Sequence, residues 1–158
     1  MGNEEKTNVM RVLQQKKVAF VSHTYEQDPT MSGTEIAAVL GEEPGRAFKT
    51  LVTEGKTKQH YVFVIPVDRE LDLKKAAKAA GEKSIQMIPQ KELLPLTGYV
   101  HGGCSPIGMK KFFPTFIHET AKDYETICFS AGKVGYQVEV NPGDLDKVFR
   151  YTYADVCE

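Results

Sequence analysis

Cysteine is scarce in this chain, its charges cancel and long apolar runs are missing; each shortage excludes a class of protein. The three cysteines, Cys104, Cys128 and Cys157, are an odd and unclustered set, which argues against a secreted disulfide framework. Twenty Lys plus Arg against 21 Asp plus Glu leave a net charge of -1, which argues against a nucleic-acid binder working by bulk charge alone. No apolar run approaches the roughly 18 residues of a membrane span, and Met1 to Arg11 shows no signal-peptide core. A reduced, cytoplasmic protein is the expectation. Internal repeats, low-complexity tracts and linkers rich in Pro, Gly or Ser are missing as well. What is present is 158 residues, 41% hydrophobic and 26% charged, the balance of one folded domain over residues 1–158. Such a domain buries roughly two-thirds of its unfolded surface, so neither a disulfide nor a metal is needed to hold it together.

Helical spacing of Val9, Val12 and Leu13 behind Thr7 predicts a helix over 7–16. Val18 to Tyr25 reads as a strand. Ser32 with Glu35 forms a capping box for a second helix that Gly41 stops. Phe48 to Glu54 and His60 to Val67 read as two apolar strands joined at Gly55-Lys56-Thr57. Asp72 caps a third helix, Leu73 to Ala80, ended by Gly81. Ser84 to Ile88 is a short strand, and Pro89 opens one helical turn over Gln90 to Leu94. Thr115 to His118 is a further strand. Thr126 to Ala131 and Val134 to Val140 form a second hairpin about Gly132-Lys133, and a last helix lies near Asp144 to Phe149. Adjacent hairpins mixed with helices, without regular βαβ alternation, indicate an α+β domain. Strands apolar on both faces further suggest a curved or barrel-like, mostly antiparallel mixed sheet surrounded by helices.

Two features stand out chemically. In Phe48-Lys49-Thr50-Leu51-Val52, alternation puts Lys49 on the face of Ala47 and Leu51. An ammonium among apolar neighbours is costly to desolvate unless it lines a cleft or finds a partner. An edge-strand lysine snorkelling to water is the competing reading. The second feature is the loop Thr97 to Gly108, with four glycines and Pro106. Such a loop lets backbone approach a ligand closely, and successive N–H groups can cradle an oxyanion or phosphate; the plain alternative is a long structural loop.

Other signatures are missing. The loop is neither a Walker A motif nor a dinucleotide fingerprint, and no GxSxG elbow is present. His101 and Cys104 are spaced HxxC, which is weak evidence for a metal site, and a nucleophilic Cys104 would need a depressed pKa. Tyr25 could reach a cleft from the end of its strand, and Ser130 sits at the sheet rim before Gly132.

The order of these pieces resembles the YbaK family of editing domains, related to the insertion domain of bacterial prolyl-tRNA synthetases. The resemblance runs from about Asn8 to Val156. It rests on Phe48-Lys49-Thr50-Leu51, Leu71-Asp72-Leu73-Lys74-Lys75, Thr97-Gly98-Tyr99 with Gly102-Gly103-Cys104-Ser105-Pro106-Ile107-Gly108-Met109-Lys110-Lys111, and Ser130-Ala131-Gly132-Lys133. Within the family the chain is most similar to free-standing deacylases that act on cysteinyl-tRNA(Pro). The resemblance implies a catalytic Lys49 facing the substrate ester. It also implies an aminoacyl end bound by Tyr25, Thr50, Gly102, Gly103, Ser105, Pro106, Ser130 and Gln137, with no metal and no cofactor. Gln137 is a departure, since relatives often carry an acid seven positions after that serine, and an amide can only hydrogen-bond.

A mischarged tRNA is an activated ester on its 3′-terminal adenosine. Lys49 with Gly102 or Gly103 N–H could hold the developing oxyanion. No Ser-His or Cys-His base system is evident, which leaves water or the substrate's own thiol as nucleophile, and the resemblance favours the thiol. Without spare cations, weak tRNA binding and delivery by prolyl-tRNA synthetase are expected. Two other classes stay open: a non-catalytic tRNA- or nucleotide-binding module of the same fold, and a thiol or metal protein using His101 and Cys104.

Overall fold

The computed structural model describes residues 6–28 and 30–158. The chain starts with α1 (Asn8–Gln15), whose cap Thr7 accepts from Met10 N at 3.2 Å. Then follow β1 (Phe20–Thr24) and α2 (Gly33–Leu40). The capping box of α2 is complete: Ser32 Oγ accepts from Glu35 N, and the Glu35 carboxylate accepts from Ser32 N. β2 (Phe48–Gly55) and β3 (His60–Pro66) form the expected hairpin, and α3 (Leu73–Ala80) runs between the Asp72 cap and Gly81. β4 (Ile85–Met87) is followed by a 3-10 turn at Gln90–Glu92 and then α4 (Leu93–Thr97). The helical segment therefore runs three residues beyond the expected single turn. β5 (Thr115–His118), β6 (Ile127–Ser130), β7 (Tyr136–Val140) and β8 (Thr152–Ala154) complete the sheets. The expected last helix is a 3-10 segment, Pro142–Lys147.

These elements make an α+β fold with two sheets. One has the order β4-β2-β3-β5-β8 and the other β1-β7-β6. Pairing is mostly antiparallel, but β5 runs parallel to both β3 and β8. The structure corrects the expectation of a barrel-like sheet: the two sheets meet at an isolated bridge between Ala47 and Cys128 and do not close. The doubly apolar strands have a different cause. Phe63 and Ile65 of β3 face a layer with Ala76 and Ala77 of α3, whereas Val62 and Val64 face a core with Val9 and Leu13 of α1 and Phe129 and Val138 of the smaller sheet. β3 is thus a buried central strand between two layers.

Candidate functional site

β3 pairs with β2 along one whole edge, but on the other edge β4 reaches only Thr53 to Gly55. The first half of β2 therefore keeps an open edge. Beyond the Ala47–Cys128 bridge, which is parallel, no ladder joins β2 to β6. At this opening lies a cavity of about 390 Å³. Because the strand edge is open, side chains from both of its faces reach the same space, Lys49 and Leu51 from one and Phe48 and Thr50 from the other. The start of α2 supplies Ser32, Gly33 and Ile36, and the long loop supplies His101, Gly102 and Cys104. Gly33 is required by close approach: a Cβ there would lie 2.6 Å from Val67 Cγ1.

Six of the nine residues singled out in the sequence line this cavity: Lys49, Tyr25, Thr50, Gly102, Ser130 and Gln137. The register explains one pair, since Ser130 of β6 sits opposite Gln137 of β7 and both point to the same face. Gly103, Ser105 and Pro106 do not line it. Gly103 packs against the β6–β7 turn, where a Cβ would lie 3.1 Å from Val134 N, and its N–H donates to Val100 O at 3.0 Å. Ser105 is fully buried with its hydroxyl accepting from Ile107 N at 3.3 Å, and Pro106 is buried beside it. These three shape the loop from behind. Gly102 is exposed at φ +88°, and among the described residues its N–H has no partner.

Lys49 is half-buried, and no salt bridge among the described residues engages it. Burial raises the Cys157 thiol to about 11, and the charges of Arg69 and Lys49 oppose that rise. Burial also raises the Tyr25 phenol, with a smaller push from the Glu42 charge, so Tyr25 faces the cavity as a neutral hydroxyl. Ser130 Oγ accepts from Gly132 N at 3.1 Å, which leaves its hydroxyl hydrogen to donate. Cys104 is a poor nucleophile, because burial pushes its thiol up to about 12.

Behind the cavity lies a polar cluster without a sequence motif. Glu42, 7% exposed, accepts from Gln137 Nε2 at 3.1 Å across a separation of 95 residues. His23 Nε2 lies 2.8 Å from Glu139 Oε1. Arg46 Nη1 donates to Glu139 Oε2 at 3.1 Å and lies 3.5 Å from Cys128 Sγ. Hydrogen bonds from Thr126 and then His23 hold the Glu139 carboxyl below its usual range. Ligand atoms of His23, Glu42 and Cys128 come within 4.8 Å of one another. Burial and the Glu42 charge drive the Cys128 thiol far up, however, and the Arg46 guanidinium sits against it. Each member of the trio has a hydrogen-bond or close polar partner outside it: Glu139 for His23, Gln137 for Glu42 and Arg46 for Cys128.

The family model for the aminoacyl-tRNA editing domain matches residues 27–148. This chain belongs to the aminoacyl-tRNA editing domain family. An Enterococcus faecalis protein named "Putative Cys-tRNA(Pro)/Cys-tRNA(Cys) deacylase EbsC" is 45% identical over 154 residues, covering 97% of this chain and 94% of that protein. A proline–tRNA ligase of Shouchella clausii is 29% identical over 118 residues, which are 74% of this chain and 20% of the ligase. A solved structure described as "a putative trans-editing enzyme for prolyl tRNA synthetase" superposes with a TM-score of 0.81 at 24% identity, covering 95% of this chain and 94% of that one, and establishes the shared fold.

In this editing domain the thiol-or-metal alternative has little geometry behind it. His101 and Cys104 both line the cavity, but among the described residues neither joins a group with metal-ligand spacing. Replacing Cys104 by Ala should leave deacylation within about threefold of the parent, since a thiol protonated at neutral pH offers neither a nucleophile nor a base. Iodoacetamide labelling checks the same point: Cys104 should react slowly at pH 7. Rapid labelling with loss of activity would restore a thiol mechanism.

Proposed function

We propose that this protein is a trans-acting editing deacylase that releases cysteine from mischarged Cys-tRNA(Pro), with Cys-tRNA(Cys) as a second target. The observation that carries the reading is a cavity that gathers Lys49, the exposed Gly102 backbone and Tyr25 and that, among the described residues, holds no activated side-chain nucleophile. The relative from Enterococcus faecalis, whose name covers both cysteinyl-tRNAs, supports the substrate choice.

Lys49 and Gly102 N–H take the ester carbonyl, where they stabilise negative charge as it develops. Gly103, whose N–H is already engaged, is left out of the oxyanion site. The cysteinyl sulfur attacks its own carbonyl carbon. A C–S bond forms, the C–O bond to the terminal ribose breaks, and the thiol proton ends on the ribose oxygen that leaves. The amino acid departs as a cyclic thioester and the tRNA is freed, a lyase-type cleavage in which no water is consumed. The domain acts by holding a reactive conformer, so proximity supplies much of the rate gain. A prolyl ester has no thiol and survives.

Balanced charge gives the protein little affinity for phosphate backbone. We therefore assign delivery to prolyl-tRNA synthetase, a partner consistent with the similarity of this chain to a segment of proline–tRNA ligases. The test is release of labelled amino acid from Cys-tRNA(Pro) and Pro-tRNA(Pro), with and without the synthetase. Cysteine should be freed, proline retained, and the synthetase should accelerate the reaction. Release of neither, with tight binding of tRNA, would favour the non-catalytic module instead.

A further inference from the structure

Four buried side-chain polar atoms have no hydrogen-bond partner among the described residues: Glu42 Oε2, Thr50 Oγ1, Thr120 Oγ1 and Gln137 Oε1. Three of the four converge on the cavity. Thr50 and Gln137 line it, and Glu42 stands directly behind Gln137. A buried polar atom left unpaired costs stability, so a cluster of them in a cavity wall marks groups that a ligand satisfies.

The chemistry of Gln137 fixes what that ligand offers. A carboxylate only accepts hydrogen bonds, so the contact with Glu42 turns the amide NH2 of Gln137 inward. Its carbonyl oxygen is then the free end. Gln137 is 6% exposed and Glu42 is 7% exposed, so this amide is fixed in a desolvated setting. Thr50 Oγ1 adds a second oxygen. The nearby cation, Arg46, is already bound to Glu139 at 3.1 Å, and no salt bridge among the described residues engages Glu42. Two oxygens backed by a buried carboxyl suit a primary ammonium, which brings three donors and one positive charge.

We propose that Gln137 Oε1 and Thr50 Oγ1 bind the α-ammonium of the aminoacyl ester, and that Glu42 is the positioning residue that turns Gln137 towards it and supplies the countercharge. This inference rests on the deacylase reading and deepens it. The carbonyl meets Lys49 and Gly102, while the ammonium one carbon away meets the opposite charge. Position 137 needs no acid of its own, because the carboxyl sits one side chain further back. An N-blocked ester, such as that of a peptidyl-tRNA, lacks the charge and would be refused.

The test compares kcat/KM on Cys-tRNA(Pro) and N-acetyl-Cys-tRNA(Pro), which share thiol and ester and differ in the amine. The full-length protein, Glu42→Gln and the double variant Glu42→Gln with Gln137→Glu are assayed side by side. The parent should favour the free amine by about tenfold or more, the value of a charge-assisted hydrogen bond. Glu42→Gln should bring that ratio close to one, mainly through KM for the free-amine ester. The double variant, which returns the carboxylate to position 137, should restore the preference. General loss of folding lowers both rates together and leaves the ratio unchanged. An unchanged ratio in a Glu42→Gln protein whose thermal unfolding stays within a few degrees of the parent, or no recovery in a double variant that folds equally well, overturns the inference while the deacylase reading stands. Failure of the parent to release cysteine from either ester brings down that reading, and this inference with it.

Discussion

Replacing Lys49 with alanine will slow release of cysteine from Cys-tRNA(Pro) by roughly a hundredfold to a thousandfold, the usual effect of removing one preorganised oxyanion donor. Lys49 sits opposite Ile65 in β2, a strand whose open edge meets the cavity, and no salt bridge among the described residues engages its ammonium. A cation in such a place is free to meet an incoming carbonyl. The surrounding wall is partly apolar, including Phe48, Leu51 and Ile36, and a water-poor site makes each charge interaction stronger than it is in bulk water. The strand does not depend on the ammonium, because its backbone pairing with β3 is independent of the side chain. Thermal unfolding of Lys49→Ala should therefore stay within a few degrees of the parent, and the loss should appear in single-turnover rate. Retention of activity within about threefold would remove Lys49 from the reaction.

Seryl-tRNA(Pro) will be released slower than cysteinyl-tRNA(Pro) by about two orders of magnitude or more. Serine differs from cysteine by oxygen in place of sulfur, so it enters any cavity that admits cysteine. Its hydroxyl is a far weaker nucleophile than a thiol unless a neighbouring base activates it. Among the described residues lining the cavity, the one imidazole, His101, is exposed on the long loop and makes no hydrogen bond that would orient it as a base. Tyr25 is held as a neutral phenol, Cys104 as a thiol near 12, and Ser130 Oγ is occupied as an acceptor by Gly132 N. Only a substrate that brings its own nucleophile gains from being held in a reactive conformer. Parallel time courses on the two esters, at equal protein concentration, read this difference directly.

Sequence reasoning reached those elements whose signals are local. The Ser32–Glu35 capping box, the Asp72 cap with Gly81, and the two hairpins about Gly55 and Gly132 each lie within a few neighbouring residues. β8 escaped notice because it is three residues long and its partner, β5, lies in parallel far upstream. The barrel-like expectation came from the doubly apolar β3, and the two layers that explain it are a tertiary fact. In the cavity wall, Lys49 could be picked out because alternation places a charge among apolar residues. Composition of the glycine-rich loop could not separate Gly102, which faces the cavity, from Gly103, Ser105 and Pro106, which support the loop from inside. Glu42 carried no signal at all: beside Gly41 and Glu43 it reads as a solvated turn residue, and only folding brings it to Gln137.

The most direct test of substrate-assisted cleavage is single-turnover deacylation of alanyl-tRNA(Pro). Alanine is cysteine without its sulfur, so it fits the same space and leaves no steric reason for refusal. If the thiol is the nucleophile, the alanyl ester decays at the uncatalysed rate even with the protein in excess. Release at a rate comparable with cysteine would contradict substrate-assisted cleavage and make water, activated by the protein, the attacking group.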